Sequence, residues 1–451
     1  MKSLVIIGAG PGGYECAVRA AKAGLDVHIV DKADHLGGTC LNEGCIPTKC
    51  LCHTAEVLEL TRSASIYGVE SDLSKFNMAA AIEQKNKVVS QLQQGINTLL
   101  NMPGITYHAG MAQFAPGDAH TIIVGNKTIH ADYVFIATGS VPKFLPVEGA
   151  HSEGVLTSTE LLQTTEIPQR LCIIGGGVIG LEFAGIFNSF GSKVTVIEYC
   201  KEILPNFDRD IAKRLRTSLK KRGIEFITGA PVTAIHLDET KHELHVSYEF
   251  RSAVHDCVAD KVLMAVGRGA NLDSLNLAEA GIEFSPRGIV TDDNMQTNLP
   301  GIYAVGDING RCQLAHAATF QSYHALAHIL GKTDTTDLSL VPAAVFTTPE
   351  AAMVGITEEE AKEKQPEASV HKAFYRANGR ALAMDAAADG LVKIIAQPNG
   401  KILGAHILGA HASELIHEIT ILMSMGGKIS DIKHCIHAHP TLSELVLQAA
   451  E

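Results

Sequence analysis

Positive charge is scarce in this sequence: 37 lysines and arginines stand against 49 aspartates and glutamates, a net charge of −12 at pH 7. Nucleic acid and anionic membrane both require a basic surface, so neither is expected as a partner. Long apolar runs are also missing. The opening MKSLVIIGAG has only Leu4–Ile7 before its glycines begin, too short for the core of a secretory signal. The most apolar stretch, Leu171 to Phe190, is interrupted by Glu182 and by glycines in a strand–turn–helix pattern, which argues against a membrane span. A cytoplasmic protein is expected. The ten cysteines lack the spacing of a secreted disulfide framework, and a chain of 451 residues needs no such staples. Most of them are expected to be buried small apolar residues, with one pair set apart.

Glycine is what the chain has in excess: 41 residues, about 9% against a usual ~7%, so tight turns or close backbone–ligand approaches are expected. The length is too great for one core and implies two to four domains. Leu4–Ile7 reads as a strand, followed by Gly8-Ala9-Gly10-Pro11-Gly12-Gly13, a helical stretch from Tyr14 to Ala23, and a second strand, Val27–Val30, ending at Asp31. In such a turn Gly8 permits the tight bend, Gly10 lets backbone approach a pyrophosphate, and Gly13 lets helix pack on strand. The diphosphate meets the N–H groups at the helix start, and Asp31 is placed to accept from a ribose hydroxyl. One glycine-rich turn does not require a nucleotide. Moved along by 167 residues, however, the pattern returns: Gly8, Gly10, Gly13, Gly24 and Asp31 map onto Gly175, Gly177, Gly180, Gly191 and Glu198. Two dinucleotides are therefore expected. Glu198 accepts from a free 2′-hydroxyl and repels a 2′-phosphate, which favours NAD over NADP.

Between the two turns lies Gly37-Gly38-Thr39-Cys40-Leu41-Asn42-Glu43-Gly44-Cys45-Ile46-Pro47-Thr48-Lys49. Two cysteines separated by four residues can close a small ring, but a loop that short adds only ~2 kcal/mol of stability. A cytosolic disulfide is more often catalytic than structural. Cys45 lies near a helix start, with Pro47 suited to the first turn, where partial positive charge favours a thiolate. The alternatives are two buried thiols or a metal site; the second lacks another cysteine pair nearby.

That run, the two glycine turns, Ala137-Thr138-Gly139, the Gly267-Arg268 turn, Gly301-Ile302-Tyr303-Ala304-Val305-Gly306-Asp307, Leu314-Ala315-His316 and His437-Ala438-His439-Pro440-Thr441-Leu442-Ser443-Glu444 together resemble the pyridine nucleotide–disulfide oxidoreductases. The likeness runs from Lys2 to Glu444, and within the family it is closest to the enzymes that oxidise dihydrolipoyl groups. The resemblance implies FAD and NAD as cofactors and an α/β fold: two Rossmann-like dinucleotide-binding domains plus a C-terminal α+β dimerisation domain. It implies that Cys45 faces the flavin as the charge-transfer thiolate, that Cys40 is the interchange sulfur, and that Lys49 lies by the flavin and pairs with Glu182. Asp307, Ala315 and Ala112 are implied at the flavin's ribityl–phosphate region, ring and adenine, with Gly38, Thr39, Thr138 and Gly139 as further flavin contacts. Val232 and Gly267 are implied at the NAD site. Asp31 departs from the longer Glu usual in the family, so its ribose bond needs a closer backbone or a water.

Thiol–disulfide exchange needs a thiolate, and histidine is the side chain suited to accept that proton near neutral pH. His439, five residues ahead of Glu444, is the candidate base, with Glu444 orienting the ring. His437 is a plain neighbour. The spacing of His434, His437 and His439 also fits a metal site, but only Cys435 accompanies it, and no metal is expected. In the resembled family this histidine serves the other subunit's disulfide, so a homodimer is implied. The expected division is 1–142 for FAD, 143–265 for NAD, 266–340 returning to the flavin and 341–451 as interface. The expected partner is a lipoyl-bearing protein of a 2-oxoacid dehydrogenase or glycine cleavage complex, and no appended lipoyl domain is expected ahead of the first strand. The rivals are a related disulfide reductase, such as glutathione reductase, and a non-catalytic subunit of a multienzyme complex. Glu198, Leu41-Asn42-Glu43 and Thr48 oppose the first. The intact Cys40, Cys45, Lys49, Glu182, His439 and Glu444 oppose the second. Mercuric reductase and the large thioredoxin reductases are opposed by the ending LVLQAAE, which has no cysteine pair.

Overall fold

The computed structural model describes residues 1–71, 75–386 and 388–451. The chain divides into two compact units, one of residues 1–50, 82–143 and 267–338, the other of 51–81, 144–266 and 339–451.

The first unit is built on a five-stranded sheet in the order Ile302–Ala304, Tyr133–Ile136, Ser3–Ile7, Asp26–Asp31, Ile105–Ala109. All its pairings are parallel. Leu4 and Ile6 bury into one apolar cluster, while Val5 and Ile7 bury into another on the opposite face. A sheet covered on both sides needs an unbroken apolar run, which is why Leu4–Ile7 does not alternate. The helix Pro11–Lys22 crosses back along one face and packs against the helix Ala315–Ile329. Antiparallel pieces complete the unit: the strands Ala112–Ala115, Asp118–Val124 and Lys127–His130, the pair Ser140–Pro142 with Arg268–Ala270, and the pair Phe284–Ser285 with Gly288–Ile289.

The second unit repeats the plan. Its parallel sheet runs Glu225–Thr228, Lys193–Glu198, Arg170–Ile174, Lys261–Met264, Val155–Leu156. The helix Val178–Phe190 follows the central strand and ends at Gly191 with φ +109. Three antiparallel strands, Val232–Asp238, Glu243–Phe250 and Ala253–Ala259, share a core with that sheet. The last segment forms a five-stranded antiparallel sheet, Ala343–Val345, Glu350–Gly355, Ile402–Gly409, Leu391–Ala396, Ser369–Phe374. The helices Ala412–Ser424 and Glu444–Ala450 cover it. The expected α/β class, with two Rossmann-like halves and a C-terminal α+β region, is what the chain adopts.

Among the described residues no helix is long and apolar enough to cross a membrane. The cysteines depart from expectation. Only Cys16, Cys52 and Cys172 of the ten are buried; Cys45 and Cys435 are exposed and the rest are intermediate. The others lie on helices, a sheet edge and loops rather than in the middle of the apolar strands.

Candidate active site

The repeat extends to individual hydrogen bonds. Ala9 N donates to Asp31 Oδ2 at 2.6 Å and Ala33 N to Asp31 Oδ1 at 2.8 Å. In the second unit Gly176 N donates to Glu198 Oε2 and Cys200 N to Glu198 Oε1. Ala9 and Gly176, like Ala33 and Cys200, stand at the same offset as the glycines. Asp31, one methylene shorter than Glu198, therefore reaches the equivalent N–H directly. A carboxylate offers about four lone-pair sites, so each oxygen can accept a further bond from a ribose hydroxyl.

The glycines are required by contact. A Cβ on Gly13 would lie 1.9 Å from Gly8 O, and one on Gly180 2.0 Å from Gly175 O. Gly8 and Gly175 take φ of +109 and +111, and a Cβ on either would meet a carbonyl, of Ala137 or Ala265, at 2.3 Å. Gly10 and Gly177 cap their helices without any side-chain bond. A Cβ on Gly177 would enter open space, and one on Gly10 would meet only Gly38 Cα, at 3.8 Å. Two helix starts without a side-chain cap and with open backbone in front fit the pyrophosphates of two dinucleotides. The residues present thus suit FAD and NAD.

Gly38 ties the cysteine loop to the first turn: at φ +60, its Cβ would lie 2.6 Å from Gly10 Cα. From there the short helix Gly38–Asn42 carries Thr39, which is exposed, and Cys40, which is half-buried. Asn42 braces the loop, donating to Leu36 O and Gly38 O and accepting from Gln93. The helix Cys45–Ser63 then opens on Cys45, with Thr48 Oγ1 donating to Gly44 O at 2.6 Å. Cys40 and Cys45 are both thiols here and their side chains hydrogen-bond. That bond, followed by burial, pushes the Cys40 thiol well above its ordinary range, against the pull of the Lys49 charge. Lys49 is half-buried on the same helix.

Thr138, Gly139 and Asp307, expected at a flavin, are each held by hydrogen bonds in the first unit. Thr138 Oγ1 donates to Asn271 O and Asn271 N to Gly139 O, where Gly139 takes φ +71. Asp307 sits in the short 3₁₀ turn Gly306–Asn309 and accepts from Ser140 Oγ at 2.5 Å. Ala315 begins the helix Ala315–Ile329, whose start has no side-chain cap. Ala112, 4% exposed, opens its strand and packs into an apolar cluster against the parallel sheet.

The Gly267-Arg268 turn is visible in the sequence, but no motif there gives Arg268 a role. Its Nε donates to Ser140 Oγ at 2.8 Å and its Nη2 to Ser140 O at 2.6 Å, completing the line Arg268–Ser140–Asp307. Burial pushes the guanidinium pKa down, opposed by Asp307, Glu43 and Cys45, so these three acids lie within its electrostatic reach. No periodicity signals this set; the antiparallel pairing of Ser140–Pro142 with Arg268–Ala270 creates it.

In the second unit Val232 is buried at the start of its strand. Glu182, 3% exposed on the helix after the second glycine turn, accepts from Phe346 N at 3.0 Å. The structure places Glu182 in this unit and Lys49 and Gly267 in the first. His439 Nδ1 lies 2.9 Å from Glu444 Oε1, and the histidine side chain is 80% exposed. Thr441 N donates to Glu444 Oε2 at 2.9 Å. That backbone bond, and next the histidine, hold the Glu444 carboxyl below its ordinary range. An ionised carboxylate only accepts, so Nδ1 carries the hydrogen and Nε2 is the basic nitrogen facing outward. His437, by contrast, bonds Cys435 O and lies 3.5 Å from Glu418. Among the described residues no group of three or more histidine, cysteine, aspartate or glutamate side chains is placed to hold a metal.

Comparison with known proteins agrees with this geometry. Residues 2–322 match the family described as pyridine nucleotide-disulphide oxidoreductase, and residues 341–450 match its dimerisation domain. The dihydrolipoyl dehydrogenase of Bacillus subtilis is 38% identical over 99% of this chain and 97% of its own length. The mitochondrial dihydrolipoyl dehydrogenase of Pisum sativum is 39% identical over 99% of this chain and 90% of its own. Among solved structures, the HOCl-induced flavoprotein disulfide reductase RclA from Escherichia coli superimposes with a TM-score of 0.88 at 34% identity, covering 99% of both chains.

Proposed function

The chain belongs to the pyridine nucleotide-disulphide oxidoreductase family, and on that premise we infer that it is an FAD-containing, NAD-dependent dihydrolipoyl dehydrogenase. The observation that carries this reading is the Cys40–Cys45 side-chain contact, held against the first dinucleotide turn by the approach of Gly38 to Gly10.

Bound FAD supplies two-electron transfer between the cysteine pair and NAD. The chain's own residues handle sulfur and protons. In the oxidised enzyme Cys40 and Cys45 form a disulfide. His439 Nε2 takes a proton from the dihydrolipoyl dithiol, and the resulting thiolate attacks Cys40 Sγ. The Cys40–Cys45 bond breaks and Cys45 departs as thiolate, at a helix start that favours negative charge. The second substrate thiol then displaces Cys40, closing the lipoyl ring and leaving the dithiol pair. Glu444 holds the His439 ring in one tautomer and stabilises its charged form. Arg268 supports the anionic groups beside it.

Flavin binding is assigned to Gly8, Gly10, Gly13, Asp31, Gly38, Thr39, Lys49, Ala112, Thr138, Gly139, Asp307 and Ala315. NAD binding is assigned to Gly175, Gly177, Gly180, Glu198, Val232 and Gly267, and Lys49 and Glu182 are assigned to the catalytic set. The division 1–142, 143–265, 266–340 and 341–451 belongs to the same reading. So does a homodimer in which His439 of the partner subunit serves each disulfide; the matched dimerisation domain and the exposure of His439 support it. The lipoyl group arrives on a protein of a 2-oxoacid dehydrogenase or glycine cleavage complex. A cysteine pair that cycles rather than staples suits the cytoplasm.

The test is turnover of free dihydrolipoamide with NAD beside turnover of oxidised glutathione with NADPH. The first is expected to proceed and the second to be negligible; the reverse would overturn the assignment.

A further inference from the structure

A second pair of thiols lies in the second unit, apart from Cys40 and Cys45. Cys172 is in the middle of the strand Arg170–Ile174 and fully buried. Cys257 is on Ala253–Ala259, a strand of the antiparallel sheet that packs against Arg170–Ile174, and it shares an apolar cluster with Cys172. The two side chains hydrogen-bond. Cys257 also lines a cleft of about 320 Å³ together with Lys193, Thr195, Glu225, Tyr248 and Asp256.

This cleft is not the dinucleotide site. Arg170, Lys193 and Glu225 are the first residues of their parallel strands, whereas the turn Gly175–Gly180 follows the carboxyl end of Arg170–Ile174. Nucleotides bind outside the carboxyl ends. Along the sheet Cys172 pairs in register with Thr195, which pairs with Glu225, so one row of side chains runs beneath Cys257. Thr195 Oγ1 donates to Glu225 Oε2 at 3.1 Å. Arg170 is engaged by Asp260 and Glu243, so Lys193 is the cation that acts on the thiol.

We propose that Cys257 and Cys172 form a second, hydroperoxide-oxidised dithiol centre, with Cys257 as the attacking sulfur at the cleft wall and Cys172 as the resolving sulfur behind it. Position orders the two roles: Cys257 lines the cleft, whereas Cys172 is fully buried behind it. The hydrogen bond from Cys172 draws the Cys257 thiol below its ordinary range, against burial and the Glu225 charge and with a smaller pull from Lys193. The Cys172 thiol is pushed up by the same bond and by burial. Thiolate character and access select the sulfur that a peroxide meets first.

The chemistry balances in two steps. Cys257 sulfur attacks the terminal peroxide oxygen, an S–O bond forms as the O–O bond breaks, and the thiol proton leaves with the departing alkoxide as an alcohol. The product is a sulfenic acid. Cys172 sulfur then attacks Cys257 Sγ, the S–S bond forms as the S–O bond breaks, and hydroxyl leaves with the Cys172 proton as water. The two sulfurs are oxidised by two electrons in all, and the hydroperoxide is reduced by two. The resulting bond fastens the antiparallel sheet to the parallel sheet beneath it, and a dithiol reverses it.

The test is peptide mapping of the FAD-loaded enzyme treated with hydrogen peroxide at neutral pH, then unfolded in an alkylating agent. Expected is a cross-linked Cys172–Cys257 peptide pair that separates on reduction with dithiothreitol. In Cys172→Ser, dimedone is expected to trap Cys257 as its sulfenic acid; in Cys257→Ser, neither adduct nor cross-link should appear at Cys172. In the untreated native enzyme, Cys257 should react with iodoacetamide at least about tenfold faster than buried Cys16. Full alkylation of both cysteines at a peroxide dose that oxidises the exposed Cys435 would overturn the proposal, as would pairing of Cys257 with a different cysteine or equal reactivity of Cys257 and Cys16. The mapping uses the wild-type chain, so it stands even where a variant fails to fold.

Discussion

Glu444 Oε1 and His439 Nδ1 stand 2.9 Å apart, and the other carboxylate oxygen of Glu444 is held by Thr441 N. The glutamate is thus fixed by backbone before it fixes the imidazole. Replacing His439 with Gln is expected to lower kcat for dihydrolipoamide oxidation by about a hundredfold to ten-thousandfold, the usual contribution of a positioned base. The deficit should shrink at alkaline pH, where the dithiol ionises unaided. Glu444→Gln keeps the imidazole and should lose less. Steady-state rates of both variants across pH check this.

The same carboxylate sets a pH expectation. Its pKa is lowered by the Thr441 N–H and then by His439, so the orienting bond is fully present above the ordinary carboxyl range. It is lost only as pH falls through the lowered value. Any decline of activity between about pH 6 and 5 should therefore survive in Glu444→Gln, since that carboxylate does not titrate there. Disappearance of the decline in the variant would contradict this.

Glu198 holds the second glycine turn through Gly176 N and Cys200 N and leaves acceptor capacity for a ribose. Glu198→Gln removes the charge with little change in size. KM for NAD is expected to rise by about tenfold, the scale of one charge-assisted hydrogen bond. Preference over NADP should narrow at the same time. Initial rates with each nucleotide measure both effects.

Gly180→Ala would drive a Cβ to 2.0 Å from Gly175 O. The helix must move off its strand, at a cost of about 1–3 kcal/mol by the behaviour of overpacked interiors. A lower thermal midpoint and weaker NAD binding are expected, with flavin content unchanged. Gly185→Ala, on the same helix with open space for the added carbon, is the control.

Lys393, fully buried, lies 2.6 Å from Asp208, also fully buried, and 2.8 Å from Glu358. Lys393→Met strands a buried carboxylate and should destabilise by about 3–5 kcal/mol, whereas the double change Lys393→Met/Asp208→Leu should recover much of that. Bonds from Lys362 and then Lys393 hold Glu358 down to about 2 from an ordinary 4.5. Its stabilisation is present above the ordinary value and is lost as pH falls toward about 2. Thermal melts from neutral to acid pH, in the wild type and in Lys393→Met, test both points.

What the sequence revealed was whatever repeats locally. The two strand–turn–helix–strand units were legible because each puts its glycines, apolar strand and acidic residue within a few dozen positions, and because one offset relates them. Cys40, Cys45, His439 and Glu444 were legible as short runs. Contacts made by distant segments were not. Arg268 and Ser140 meet through an antiparallel pairing across 128 positions, and Asp307 reaches Ser140 across 167. Lys393 and Asp208 meet across 185. Cys172 and Cys257 come from different sheets, and neither sits in a motif. Composition treated them as ordinary buried cysteines, and only the packing of one sheet on the other brings them together.

Turnover depends on a cysteine pair that NADH reduces through the flavin, and differential alkylation reads that pair directly. Air-equilibrated enzyme and enzyme reduced anaerobically with NADH are each treated with an alkylating agent and mapped at Cys40. Protection of Cys40 in the first sample and labelling in the second is the predicted result. Equal labelling of Cys40 in both would contradict the assignment.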